Sequence, residues 1–74
     1  MIIVTALGAL PAVRAAADAF DGLDPSPASA VSWYEEGQGQ FRLEAYADTE
    51  IDADAIMAVV AQASPTLSPR ATTC

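Results

Sequence analysis

Apolar and polar residues alternate regularly between Phe41 and Ala47, and this alternation restricts the fold more than any other feature. A period of two is typical of a β-strand with one buried face and one exposed face. A glycine-containing turn, residues 37–40, joins this segment to a second strand-like segment, residues 30–36. We therefore predict an antiparallel hairpin with Trp33 largely buried and with these side chains facing inward: Val31, Trp33, Phe41, Leu43 and Ala45.

One strand and one helix precede the hairpin, and a second helix follows it. Residues 2–7 are short, apolar and β-branched, which predicts a strand buried on both faces. Pro11 suits the start of the first helix, where its missing N–H costs nothing. Asp52 is predicted to cap the second helix, with Ile51 and Ile56 forming a hydrophobic staple across that cap.

The resulting order is strand, helix, strand, strand, helix, which is that of a split β-α-β, or ferredoxin-like, unit. We predict an α+β fold in which an antiparallel sheet carries two helices on one face. The last strand is predicted to be missing, because residues 64–74 are rich in Ser, Thr and Pro and show no apolar alternation. The domain is therefore expected to span residues 1–63, with a disordered tail over residues 64–74.

A missing last strand would leave the first strand as an exposed apolar edge. No charge or proline protects residues 2–7, and an unprotected edge pairs readily with another chain. We therefore expect self-association through the first strand.

The charge balance restricts the partners of the chain. Ten acidic residues against three arginines give a net charge of -7, with no lysine and no histidine. Nucleic acid and anionic membrane surfaces are both bound by clustered basic residues, so we predict neither as a partner. A basic protein is an electrostatically suitable partner, although acidity also serves to keep an alanine-rich domain soluble.

The cysteine content favours the cytoplasm. Cys74 is the only cysteine, so no disulfide can form within the chain, and a reducing compartment is the natural one. The apolar run over residues 2–10 lacks the basic segment that a secretory signal carries before it. That run is also far shorter than the roughly 20 residues that cross a bilayer.

The residue types that carry catalysis are scarce. Without histidine the chain has no imidazole base and lacks a common metal ligand, and Cys74 has no base near it in sequence. Glu35 and Glu36 point to opposite faces of a strand, while Asp52 and Asp54 suit the positive end of a helix dipole. We therefore predict no catalytic, cofactor-binding or metal-binding residue, and we do not expect this chain alone to be an enzyme.

The outward positions of the hairpin are the candidates for partner contact. Strand parity places Tyr34, Arg42 and Tyr46 on the open face of the sheet. Aromatic side chains on a sheet bind RNA bases in some domains, but the mixed charges of Arg42 and Glu44 favour a protein-contact surface. We predict that Tyr34, Arg42 and Tyr46 contribute to this surface.

The hairpin and both helices resemble a known protein family. Residues 30–36 read Ala-Val-Ser-Trp-Tyr-Glu-Glu, and residues 41–46 read Phe-Arg-Leu-Glu-Ala-Tyr. Leu-Pro-Ala at residues 10–12 and Ile-Asp-Ala-Asp-Ala at residues 51–55 extend the likeness. Over residues 2–63 the chain is similar to the N-terminal domain of the bacterial methyltransferase that modifies protein eleven of the large ribosomal subunit.

This resemblance implies a ferredoxin-like domain that grips a basic ribosomal protein. In the family, a separate C-terminal Rossmann-like domain binds S-adenosylmethionine and methylates lysine and terminal amino groups, and its motifs do not occur in this sequence. The likeness stops after Ala63, which leads to the hypothesis of a truncated or frameshifted gene. S-adenosylmethionine is therefore expected to serve the parent family and not this chain.

Two other interpretations fit the same sequence. The chain could be a stand-alone ferredoxin-like module that regulates another protein or binds a small molecule. It could also be an exported acidic domain whose N-terminus is cleaved. Binding to a ribosomal protein would favour the recognition domain over the stand-alone module.

Overall fold

The computed structural model describes residues 1–73, so the expectations that concern Cys74 lie outside the described residues. Six elements follow one another along the chain: β1 (Ile2–Gly8), α1 (Leu10–Ala19), β2 (Ala30–Gly37), β3 (Gln40–Ala47), α2 (Glu50–Ala63) and β4 (Arg70–Thr73). The predicted hairpin is formed by β2 and β3, and its turn places Gly39 at a φ of 74°, a value that glycine adopts readily.

The four strands form one antiparallel sheet in the order β2-β3-β1-β4. β1 therefore lies in the centre, between β3 and β4, as in a ferredoxin-like sheet. Residues of α1 and α2 share one core cluster with Val4, Leu43 and Ala45 of the sheet, so both helices pack on the same face. The predicted α+β, ferredoxin-like fold with two helices on one face is confirmed.

The prediction that the last strand is missing is wrong. Arg70–Thr73 forms β4 and pairs with Ile2–Thr5 of β1. Pro65 and Pro69 precede this strand, so neither removes a donor from the ladder. All four side chains of β4 are exposed, and a strand without a buried face needs no apolar alternation. The segment predicted as a disordered tail thus contains the strand that completes the sheet.

β4 also removes the reason for expecting self-association through β1. It covers the outer edge of β1 over Ile2–Thr5. Farther along, Leu67 is buried and packs so closely on Gly8 that a Cβ at that glycine would collide with it. The edge that was expected to be bare is therefore covered over much of its length by residues of the same chain.

The core lies between the two helices and the covered face of the sheet. Its largest fully buried side chains come from four elements and are Leu43, Ile56, Val4, Val13 and Val60. β1 is not buried on both faces as predicted, because the helices form a single layer. Val4 and Ala6 are buried on the helix side, whereas Thr5 is half-buried and Leu7 is 41% exposed on the other side.

α2 begins earlier than the sequence pattern predicts. The helix starts at Glu50, and the Thr49 hydroxyl accepts a hydrogen bond from the backbone N–H of Asp52 at 3.1 Å. Thr49 is therefore the N-cap, and Asp52 lies within the first turn. Ile51 is 82% exposed, so the predicted staple with Ile56 does not form.

Candidate protein-contact site

The sheet face opposite the helices is the candidate site, and we call it the open face. The register of the four strands places its side chains in three rows that cross the sheet: Ala30, Tyr46, Ile3 and Thr72; Ser32, Glu44, Thr5 and Arg70; Tyr34, Arg42 and Leu7. Among residues 1–73, no helix or loop packs over these rows as a second layer. The open face is thus a continuous surface built by all four strands.

The three residues predicted for partner contact all lie on the open face. Tyr34 of β2 stands directly opposite Arg42 of β3. Tyr46 lies four residues farther along β3, which corresponds to roughly 13 Å at the usual rise of a strand, between Ala30 and Ile3. Tyr34 is 46% exposed, while Arg42 and Tyr46 are half-buried. Strand geometry therefore brings Tyr34 and Arg42 together and leaves Tyr46 at the other end of the face.

Two glutamates hold the Arg42 guanidinium in place. Its Nη1 donates to Glu36 Oε1 at 2.9 Å, and its Nε donates to Glu44 Oε2 at 3.3 Å. The hydrogen bond to Glu36 raises the pKa of Arg42 above its ordinary value. Because these partly exposed pairs contribute little to stability, their main effect is to orient the guanidinium and to compensate its charge.

Charge is distributed unevenly between the open face and the rest of the surface. Glu36 is bonded to Arg42 and is counted with the open face, so that Arg42 and Arg70 balance Glu36 and Glu44 and the face carries no net charge. The whole formal charge of -7 therefore belongs to the remaining surface. The result is a face without net charge, whose tyrosine and aliphatic side chains lie in its two outer rows and whose middle row is polar. We call the remaining, negatively charged surface the acidic periphery.

Sequence reasoning missed the part of the open face that β1 and β4 supply. Ile3 and Leu7 were expected in a doubly buried strand, and Arg70 in a disordered tail. Thr5, a polar residue between Val4 and Ala6, was the indication in the sequence that β1 has an exposed face. The position of Arg70 beside Thr5 depends on sheet pairing, which the local sequence does not encode.

The predicted burial of Trp33 is wrong. Its side chain points toward the helix side of the sheet, packs against Phe41 with ring centroids 6.2 Å apart, and is 41% exposed. β2 is an edge strand, so its outer flank has no neighbouring strand to cover the indole. A side chain that points toward the helix side of the sheet is therefore not necessarily buried when its strand lies at the edge.

We expect the fluorescence of Trp33 to report this half-exposed position. The emission maximum of the folded protein should lie between those of buried and fully hydrated tryptophan, and acrylamide should quench it partially. Free tryptophan amide and the urea-unfolded chain supply the fully exposed reference. An emission typical of a buried indole with no quenching by acrylamide would contradict the exposed edge position.

Two cavities within the described residues are small and open. One, of about 190 Å³, lies between α2 and β4 beside Ile2, Ala53 and Ala71. The other, of about 200 Å³, lies where β4 leaves β1, beside Leu7 and Arg70. Both are smaller than the roughly 300–1,000 Å³ of typical small-molecule sites, so the broad open face is the better candidate for binding.

Residues 1–73 contain neither a cluster of metal-ligating side chains nor a helix able to cross a membrane. This range contains no group of three or more His, Cys, Asp or Glu side chains arranged to hold a metal ion. Neither of its two helices is long and apolar enough to cross a membrane.

Comparison with protein-family models, with curated proteins and with solved structures finds no match to the chain. The resemblance to the methyltransferase family therefore stays a prediction based on the sequence of the hairpin and its flanking helices. The fold and the open face are the observations on which a function can be proposed.

Proposed function

We propose that this chain is a recognition domain that binds a basic protein through the open face, in line with its resemblance to the domain by which the ribosomal-protein methyltransferase grips its substrate. The observation that carries this proposal is the contrast between a neutral, tyrosine-bearing face and an acidic periphery. The chain is proposed to bind and not to catalyse, with S-adenosylmethionine chemistry confined to the parent family.

The composition of the open face supports a protein partner. Contact surfaces between proteins are enriched in aromatic side chains relative to the rest of the surface. Tyr34 and Tyr46 supply the aromatic side chains, Ile3 and Leu7 supply aliphatic surface, and the glutamates compensate Arg42. A partner can therefore cover Arg42 without burying an uncompensated charge.

The sign of the periphery supports a basic partner. With a formal charge of -7 located away from the face, a cationic protein is attracted from a distance and an anionic one is repelled. Nucleic acid is repelled by the same negative charge. Arg42 is also already paired with Glu36 and Glu44, so it is not free to bind phosphate. Ribosomal proteins are a class of strongly basic proteins, and this agrees with the family resemblance.

The stand-alone small-molecule module is the weaker alternative. Its main requirement is a concave site that encloses most of a ligand, whereas the two cavities of about 190 and 200 Å³ are shallow and open. A broad sheet face suits a macromolecular partner better than a small ligand.

Truncating the tyrosines tests the proposal. We expect the Tyr34→Ser, Tyr46→Ser double variant to bind purified protein eleven of the large ribosomal subunit about tenfold or more weakly, because aromatic anchors carry much of the binding energy of interfaces. Isothermal titration calorimetry of the 74-residue chain with that protein measures the change.

Ile51→Ser is the matched control, because Ile51 is an exposed apolar side chain on α2 and lies away from the open face. It should leave the affinity unchanged. Equal affinity of the double variant and the control, with both proteins folded by circular dichroism, would exclude the open face as the contact surface. Failure of the unmodified chain to bind would refute the proposed partner.

A further inference from the structure

The outer edge of β2 is one of the two edges of the sheet. β2 spans eight residues at one end of the sheet order, and its outer flank has no strand beside it within residues 1–73. The opposite edge is formed by β4, which is four residues long and follows Pro69. Of the two edges, β2 thus offers the longer one for pairing with another strand.

The usual protection of an edge strand is absent from most of β2. Edges are commonly blocked by charged residues, by proline or by a bulge. The five residues from Ala30 to Tyr34 contain neither charge nor proline, and the bulge lies between Glu35 and Gly37, at the hairpin end. The backbone from Ala30 to Tyr34 is therefore a regular stretch that can accept a further strand.

Two aromatic side chains flank this regular stretch on opposite sides of the sheet. Trp33 projects to the helix side and is 41% exposed, and Tyr34 projects to the open face and is 46% exposed. A strand added beside β2 would place its alternate side chains against the indole and against the phenol ring. Backbone pairing with side-chain contacts on both faces is how sheet edges recognise extended segments.

Charge determines which kind of strand fits. No lysine or arginine occurs between Arg14 and Arg42, whereas four acidic residues besides the Arg42-paired Glu36 do: Asp18, Asp21, Asp24 and Glu35. This stretch includes β2 and part of α1, which packs on the β2 and β3 side of the sheet. A second copy of the chain would bring two such acidic stretches together, so a basic segment is the complementary occupant.

We infer that the outer edge of β2 binds an extended segment of a basic protein by strand addition, with the side chains on one face of that segment against Trp33, those on its other face against Tyr34, and lysine or arginine at its ends. This inference rests on the proposed function, because it states how the same basic partner would be held. It adds to the open face a contact that is made mainly by backbone hydrogen bonds.

A synthetic peptide tests the inference on the complete chain. The probe has about nine residues, enough to match β2, and alternates valine and threonine between paired lysines at each end. We expect it to shift the Trp33 emission to shorter wavelength and to protect alternate amides of β2 from hydrogen exchange. A peptide with glutamates in place of the lysines should produce neither change.

Two variants distinguish the effect on peptide binding of a charge beside the β2 edge from that of the net charge of the chain. Glu35→Gln should weaken peptide binding about two- to fivefold, as expected for one exposed charge pair. Asp54→Asn removes the same charge from α2 beside β4 and should leave binding unchanged. Equal effects of both variants would mean that the peptide senses net charge only, and strand addition at β2 would be rejected.

Proline substitution tests the backbone contact. Alternate residues of an edge strand direct their amides outward, so one of the adjacent variants Val31→Pro and Ser32→Pro removes an outward amide and keeps the β2–β3 ladder. That variant should stay folded and should bind the peptide about tenfold more weakly. If neither variant folds, amide protection in the unmodified chain decides the question.

Three results would overturn the inference. The first is protection of the open face without protection of β2 amides, and the second is dimerisation of the chain through β2. The third is binding of the ribosomal protein without binding of the basic peptide, which leaves the proposed function standing. If neither the protein nor the peptide binds, both the proposed function and this inference fail.

Discussion

Replacing Ile56 with alanine is expected to lower the free energy of unfolding by about 2–5 kcal/mol, the usual cost of emptying a fully buried aliphatic position. Ile56 has no exposed surface and belongs to the cluster that joins α2 to the sheet. A domain of this size has a total stability of only about 4–11 kcal/mol. Urea unfolding followed by circular dichroism should therefore show a strongly lowered midpoint or a largely unfolded protein.

The matched control is Ile51→Ala in the same helix. Ile51 is 82% exposed, so the same chemical change should alter the free energy of unfolding by no more than about 0.5 kcal/mol. The comparison also tests the start of α2, because a hydrophobic staple between the two isoleucines would make both variants costly. Similar losses at the two positions would contradict the position of Thr49 as the N-cap.

Leu67→Ala is expected to cost about 2–4 kcal/mol, within the range for truncating a buried leucine. Leu67 is 5% exposed and packs against Gly8 of β1, although it lies in the segment predicted from sequence to be a disordered tail. The Ser64 hydroxyl donates to the Ala12 carbonyl at 2.6 Å and holds the start of the same segment. Leu67 and Ser64 together position β4 beside β1.

Thermal unfolding of Leu67→Ala and of Thr66→Ala provides the comparison. Thr66 is exposed in the adjacent turn, so its substitution should leave the melting temperature nearly unchanged, while Leu67→Ala should lower it by well over 5 °C. Identical melting of both variants would mean that residues 64–73 contribute nothing to the folded domain.

Local periodicity was sufficient to predict most of the fold. The alternation in β3 and the helical spacing of apolar residues in α1 and α2 are set by neighbours close in sequence. The predicted start of α2 was wrong because Asp52 and Thr49 are both residue types that favour the N-cap position. Only the hydrogen bond to the Thr49 hydroxyl shows which of them caps the helix.

The errors concern features that depend on sheet pairing. β4 has four exposed side chains and is held by its backbone ladder to β1, a contact between distant parts of the chain. Trp33 is exposed because β2 lies at the edge of the sheet, and strand parity contains no information about edges. Strand order is a property of the assembled sheet, so neither feature can be obtained from one segment alone.

The candidate site was predictable in part for the same reasons. Parity alone placed Tyr34, Arg42 and Tyr46 on one face, and the register agrees with that placement. The separation of Tyr46 from Tyr34 follows from the register, and the contribution of Arg70 follows from β4. The absence of net charge on the open face therefore could not be predicted from the sequence, because it depends on the pairing of all four strands.

Nuclear magnetic resonance titration of the isotopically labelled chain with purified protein eleven of the large ribosomal subunit tests the central proposal most directly. We expect saturable shifts of the amides of Ile3, Thr5 and Tyr46 on the open face and of residues 30–35 in β2, and we expect these shifts to decrease as salt screens the acidic periphery. An absence of shifts at saturating partner, or shifts confined to the solvent side of α1 and α2, would contradict recognition of a basic protein by the sheet.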